Sequence, residues 1–158
     1  MQNGAVNAGD KENVMIISHL HDKSEKKLCW KILDEIYSDP RQRIPDYNAY
    51  CEKVCKYAEF ICAKENSEII GFIAFYANDC AEHTAYITQL DVLPKCQNMG
   101  VGAALIDTAE DISRKQSMKV MRLEVRKDNA KAIRFYMKHG YTNDGGYTDK
   151  SYYMSKNL

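Results

Sequence analysis

The sequence has no surplus of either charge: Lys plus Arg and Asp plus Glu each number 22 among 158 residues, and the formal net charge at pH 7 is zero. Its cations form no stripe interleaved with aromatics, so nucleic acid is not expected as a partner. No apolar run reaches the roughly 18–20 residues that a helix needs to cross a bilayer. Residues 1–13 are polar and carry neither the apolar segment of a signal peptide nor an anchor. A cytoplasmic protein with no membrane partner is therefore expected. There is also no length for a second core, since domains typically run about 100–150 residues. We read residues 1–13 as a disordered tail and 14–158 as a single domain.

Metal-ligand spacing is missing as well. The six cysteines, at positions 29, 51, 55, 62, 80 and 96, contain no CxxC pair. With no secretory signal they are expected as free thiols that pack as small apolar side chains. Cys51 and Cys55 share a helix face, but no nearby His completes a set, and His19, His21, His83 and His139 show no ligand spacing. No metal is expected.

What is present is a mixed pattern of short strands and amphipathic helices. Val14 to Leu20 suits a strand, and Leu28, Ile32 and Ile36 then fall four apart on one face of a helix that stops before Asp39 and Pro40. A loop carrying Arg41, Arg43 and Pro45 follows, and Asp46 is placed to cap a helix through Tyr47, Tyr50, Val54 and Tyr57. Phe60 to Ala63 and Ile69 to Ala77 read as a hairpin turning at Asn66 and Ser67, and Ala85 to Leu93 as the next strand. A helix from Val101 to Gln116 presents Val101, Leu105, Ala109 and Ile112 on one face. Then come a strand over Val120 to Val125, a short helix capped by Asp128 or Asn129 and stopped at Gly140, and a last pair of strands turning around Asp144, Gly145 and Gly146. Seven strands and four helices in this order predict a mixed α/β domain without regular βαβ alternation.

The segment Gln97, Asn98, Met99, Gly100, Val101, Gly102, Ala103 joins a strand to a helix. A helix start has unpaired N–H groups and about half a positive charge, and glycines at 100 and 102 let a phosphate approach the backbone. No Lys followed by Ser or Thr succeeds the second glycine, so a Walker loop is excluded, and Leu105 occupies the third glycine position of a dinucleotide fingerprint.

Gln97 to Gly102 resembles the Gln/Arg-xxGxG element of the GNAT superfamily, and Leu90, Asp91, Val92, Leu93 and Pro94 precede it as in that family. Asn129, Ala132, Tyr136, Gly140 and Tyr141 resemble the family's NxxAxxxYxxxGF block, with Tyr141 in the Phe position. The resemblance spans about residues 14 to 155. It implies a mixed, mostly antiparallel sheet of six or seven strands with helices on both faces. It also implies an N-acetyltransferase that takes the acetyl group from acetyl-CoA and passes it by direct attack to a primary amine.

On that resemblance, backbone groups of Gln97, Asn98, Met99, Gly100, Val101, Gly102 and Ala103 meet the pyrophosphate. Leu90, Asp91 and Val92 meet the pantetheine arm, Asn129 and Ala132 close it from the other side, and Tyr136 stands beside the thioester as the proton donor to sulfur. A backbone N–H near Leu90 to Val92 meets the oxyanion. The amine proton is expected to leave through a water chain or to a carboxylate, for which Glu124 and Asp91 are the candidates; on the resemblance, Tyr86 stands where some members keep a catalytic glutamate. Asn98 replaces a frequent glycine and Met99 a frequent Lys or Arg, which removes a cation from the phosphate site.

Acceptor choice is expected from Ser38 to Asp46, from the tail hairpin near Gly145 and from the loop near Asp79. Arg41 and Arg43 are candidates for an acidic group of the acceptor. The expected acceptor is a small-molecule amine, such as an amino sugar, an amino acid derivative or a polyamine. A protein N-terminal amine, or acyl-CoA binding without turnover, is the alternative. A homodimer is left open.

Overall fold

The structure is a computed structural model that describes residues 14–158, so the expected tail lies outside the described residues. Seven strands form one sheet: β1 (Ile16–Leu20), β2 (Glu59–Glu65), β3 (Glu68–Asp79), β4 (Thr84–Val92), β5 (Val120–Arg126), β6 (Thr142–Tyr147) and β7 (Ser151–Asn157). They run in the order β1-β2-β3-β4-β5-β7-β6. Every neighbouring pair is antiparallel except β4 and β5.

Residues 70–75 of β3 are buried without alternation, which requires cover on both faces of the sheet. Adjacent residues show the two layers. A Cβ at Gly71 would stand 3.2 Å from Val101, the first residue of the long helix α5 (Val101–Lys115), whereas Phe72 packs edge-on against Trp30 at 5.5 Å. The Trp30 side carries α1 (Lys23–Cys29), α2 (Lys31–Ile36), α3 (Pro40–Arg43) and α4 (Tyr47–Tyr57). The last helix, α6 (Ala130–Lys138), joins β5 to β6.

The first helix of the sequence reading is two helices. Asp22 starts α1 by accepting from the backbone N–H groups of Ser24 and Glu25. The chain breaks at Trp30, whose indole turns into an aromatic cluster with Phe60, Phe72, Tyr47 and Tyr50 and donates to the Cys55 sulfur at 3.1 Å. Because of that break Leu28 is exposed, and Cys29, Trp30, Ile32 and Leu33 enter the core instead. The expected loop at Arg41 contains α3, capped by the Asp39 side chain. Asp46 precedes α4 but makes no side-chain cap; its backbone is left-handed, with φ 49°.

The last hairpin and Cys80 also differ from the expected pattern. The final hairpin turns at Thr148 to Lys150, not at Gly145: the Thr148 hydroxyl accepts from the N–H groups of Lys150 and Ser151. Asp144 to Gly146 form an irregularity inside β6, where Asp144 is tied to Arg122 at 2.6 Å. All six cysteines are free; Cys29, Cys55, Cys62 and Cys96 are buried and Cys51 is half-buried, but Cys80 is exposed. Among the described residues no helix is long and apolar enough to cross a membrane.

Candidate active site

The site begins with a break in the sheet. β4 and β5 pair only from Thr84 and Val120 to Ile87 and Leu123. Beyond Ile87, β4 carries one extra residue, Thr88, since Phe75 faces Ile87 while Ala74 faces Gln89. Such a bulge bends its strand. β4 then follows β3 as far as Val92, and β5 follows β7 as far as Arg126, so the two strands part and leave a cleft between them.

One cavity of about 260 Å³ lies on this cleft. Leu90, Asp91 and Val92 line it from β4, Gln97 and Asn98 from the glycine turn, Gly102 from α5, and Asn129, Lys131, Ala132, Phe135 and Tyr136 from the α6 segment. With Ile36 and Tyr37 from the end of α2 also in the wall, four separated stretches of sequence are brought together. The glycine turn has the form an anion needs: Asn98 and Gly100 have φ 61° and 81°, and no side chain caps α5 behind Gly100. The first N–H groups of a helix without such a cap are available to an outside acceptor.

Not every residue expected at the cofactor has its side chain there. Met99 is 66% exposed, and Val101 is buried against Gly71. Along with Gly100 and Ala103, these two are absent from the lining. Gly102 has a role that its spacing did not suggest: a Cβ there would stand 3.2 Å from the Phe135 ring, so the glycine makes room for α6. Asn129 caps α6 by accepting from the Ala132 N–H at 3.1 Å. Phe135 and Tyr136 both line the cavity and pack edge-on at 5.3 Å.

Lys131 was not foreseen. It donates to the Gln97 side-chain oxygen, while the Gln97 amide donates to the Val92 carbonyl at 3.1 Å. A cation from α6 therefore reaches the turn where Met99 offers none. The only signal in the sequence was its position between Asn129 and Ala132.

Asp91 sits in the wall of the cavity and is 7% exposed. The Tyr37 hydroxyl donates to one of its oxygens at 2.8 Å and the Gln89 amide to the other. Burial raises its pKa above the ordinary carboxylate value, against the opposing effects of these two bonds and of Arg43. Burial also raises the Tyr136 phenol, and the neighbouring Asp91 charge adds to it. The phenol is thus held in its neutral, proton-bearing form.

A second cavity of about 510 Å³ lies beside the first, and Tyr37 lines both. Its walls include Pro40, Arg43, Ile44 and Pro45 from the segment expected to choose the acceptor, with Tyr50, Tyr86, Gln89, Glu124, Arg126 and Ser151. Neither Gly145 nor the loop near Asp79 contributes. Burial pushes Tyr50 and Tyr86 up to about 12. Glu124 is exposed and belongs to this second cavity; it does not line the one that holds Tyr136. Among the described residues no three His, Cys, Asp or Glu side chains gather as a metal site.

Comparison with known proteins gives the family and the fold. A sequence model described as the acetyltransferase (GNAT) family matches residues 26–141. The uncharacterized protein YxbD of Bacillus subtilis (strain 168) is 33% identical over 81 residues, which are 51% of this chain and 47% of that protein. The chain spans about half the length of the curated relatives it matches. Among solved structures, the ribosomal-protein-S18-alanine N-acetyltransferase from Escherichia coli superposes with a TM-score of 0.74 at 19% identity, covering 92% of this chain and 94% of that one. The PaiA N-acetyltransferase from Thermoplasma acidophilum, solved in complex with coenzyme A, gives a TM-score of 0.72 at 20% identity, over 92% and 99% of the two chains. Both share the fold.

Proposed function

The chain belongs to the acetyltransferase (GNAT) family, and from that premise we propose that it is an N-acetyltransferase that moves the acetyl group of acetyl-CoA onto a primary amine of a small molecule. The observation that carries this reading is the meeting of two cavities at one tyrosine. The first combines an uncapped helix start, an open strand edge and a phenol; the second is a separate space of a size suited to a small ligand.

The residues fit acetyl-CoA as a cosubstrate. The head of α5 and Lys131 are suited to its diphosphate, and the β4 edge from Leu90 to Val92 to its amide-containing arm. That arm needs backbone partners, which a strand lacking a neighbour on one side supplies. A backbone N–H of the same edge is the donor we assign to the carbonyl oxygen as it gains charge.

The proton steps follow from burial. An amine attacks only as the free base, so the ammonium must lose a proton. We assign that proton to Asp91, across the Tyr37 hydroxyl: the phenol oxygen takes it from nitrogen while its own proton passes to Asp91 Oδ1. Asp91 is preferred to Glu124 because its burial raises its proton affinity and because it lines the cavity of Tyr136. As the nitrogen–carbon bond forms and the carbon–sulfur bond breaks, Tyr136 gives its proton to the leaving thiolate, and the second proton that the nitrogen sheds in becoming an amide restores the phenol.

The test has two measurements. Acetyl-CoA is expected to raise the melting temperature, and thiol release from it is expected only in the presence of a primary amine. Stabilisation without release from any amine would make the protein a binding module. Faster release with peptide N-termini than with small amines would move the acceptor class. The absence of any stabilisation would remove the cofactor site.

A further inference from the structure

We propose that the second cavity selects an amine that also carries a carboxylate, with Arg43 as the partner of that carboxylate; the inference rests on the acetyl-transfer reading above. Arg43 closes α3, a turn fixed at both ends. The Asp39 side chain accepts from the Arg41 N–H at 3.0 Å, and the Ile44 N–H returns to the Pro40 carbonyl at 3.2 Å. From this turn the Arg43 guanidinium lies over the Tyr37 ring, 4.2 Å from its centroid. That ring is held in turn by its hydroxyl on Asp91. Stacking of this kind fixes the plane of a guanidinium while leaving its edge donors available to a carboxylate.

The other cations near the cavity are paired or lie outside its lining. Asp128 holds Nε and one terminal nitrogen, Nη2, of Arg126, at 3.0 and 2.6 Å. Arg41 is over Tyr47, at 5.5 Å, and does not line the cavity. Among the described residues Arg43 has no ion-pair partner and no hydrogen-bond acceptor; Asp91 and Asp128 are near enough to feel its charge, but the oxygens of Asp91 are taken by Tyr37 and Gln89 and those of Asp128 by Arg126. Glu124 is the one carboxylate in the lining. A small molecule with an ammonium and a carboxylate thus meets a charge of the opposite sign for each. A polyamine would set its second ammonium against a cation that has no partner.

Matched pairs test this: amino acids and the amines left when their carboxylates are removed, each assayed for thiol release from acetyl-CoA. The wild-type protein is expected to favour the acid in kcat/KM by about tenfold or more, the range expected for a hydrogen bond to a charged group. Arg43→Gln is expected to bring that ratio close to one through KM for the acid, and Arg43→Lys to restore part of it. Stabilisation of each variant by acetyl-CoA reports that it is folded. A wild-type preference for the decarboxylated amine, or an equal loss on both members of a pair in Arg43→Gln, would overturn the acceptor class while leaving acetyl transfer intact. Thiol release from no amine at all would overturn both.

Discussion

The hydroxyl of Tyr37, at the end of α2, donates to Asp91 of β4 at 2.8 Å, and this bond lies where the two cavities meet. It ties the segment that lines the second cavity to the carboxylate we assign as the base. It also gives the carboxylate a titration that separates catalysis from stability. Burial raises the Asp91 pKa, so the base should become active only above the ordinary carboxylate range, and the acid limb of kcat/KM should show an inflection there. For stability the sign is opposite. Below the unfolded value both states hold the proton and nothing is lost. Between the unfolded value and the raised folded value the unfolded chain releases it first, so stability falls as pH rises through that window and stays lower above it. Asp91→Asn keeps an acceptor for Tyr37 and removes this penalty. We expect a higher melting temperature at neutral pH, together with a loss of about 100-fold in kcat. A variant less stable and equally active would refute both halves.

Tyr136→Phe separates proton donation from packing. The ring stays against Phe135 and Tyr141, at 5.3 and 5.7 Å, so stabilisation by acetyl-CoA should persist while kcat falls about 100-fold. Because burial raises the phenol's pKa, it remains an acid throughout the usual assay range and should add no basic limb below its ordinary value of about 10. Equal losses in cofactor affinity and kcat would assign Tyr136 to packing alone.

The two glycines of the turn should respond differently to alanine. At Gly100 the added methyl meets nothing within 4 Å, but the residue has φ 81°; the expected cost is backbone strain of about 1–2 kcal/mol. At Gly102 the backbone is ordinary and the methyl would press on Phe135 at 3.2 Å. Gly102→Ala should therefore displace α6 and the Tyr136 it carries, lowering kcat as well as cofactor affinity. Steady-state kinetics with acetyl-CoA titrations on both variants check this: a Gly102→Ala enzyme with normal kcat would show that α6 adjusts freely.

Much of this was legible in the sequence, and the exceptions share a cause. Val120 to Val125, Ile69 to Ala77 and the α5 face were readable because each side-chain pattern repeats within its own element. The glycine turn and Asn129 were readable because each precedes a helix it starts. The break at Trp30 was hidden because Leu28, Ile32 and Ile36 keep helical spacing across it, and only the indole's place among Phe60 and Phe72 decides it. Gly145 looked like a turn because glycine favours positive φ, which it has at 88°, but the Thr148 hydroxyl makes the actual turn. The meeting of Tyr37 with Asp91, 54 positions apart, had no local signal. Neither did the contact of Lys131 with Gln97, which pairs side chains from the two motifs.

Tyr141 stands where the family block has Phe, and the structure shows what its extra oxygen does. The ring is 1% exposed, and its hydroxyl donates to Glu110 of α5 at 3.0 Å. Glu110, itself 2% exposed, also accepts from Lys156 of β7 at 2.6 Å and Arg114 at 3.3 Å. This group ties α5 to the end of β7 beside the chain leaving α6, so it supports the helix that carries Tyr136 without lining either cavity. Tyr141→Phe removes one of three donors and leaves the carboxylate paired; it should cost about 1 kcal/mol. Glu110→Ala leaves the Lys156 ammonium and the phenol without an acceptor in a largely dry place, and should cost about 3 kcal/mol. Those costs correspond to falls in melting temperature of roughly 2–4 °C and 6–12 °C for a chain of this size. Denaturant midpoints at constant slope measure them directly. The kinetic expectation is the sharper one: Tyr141→Phe keeps the ring that Tyr136 packs against, so its kcat should match the wild type, whereas Tyr141→Ala should lower kcat by letting Tyr136 move. Equal kcat in all three proteins would show that Tyr136 is positioned from the α5 side alone.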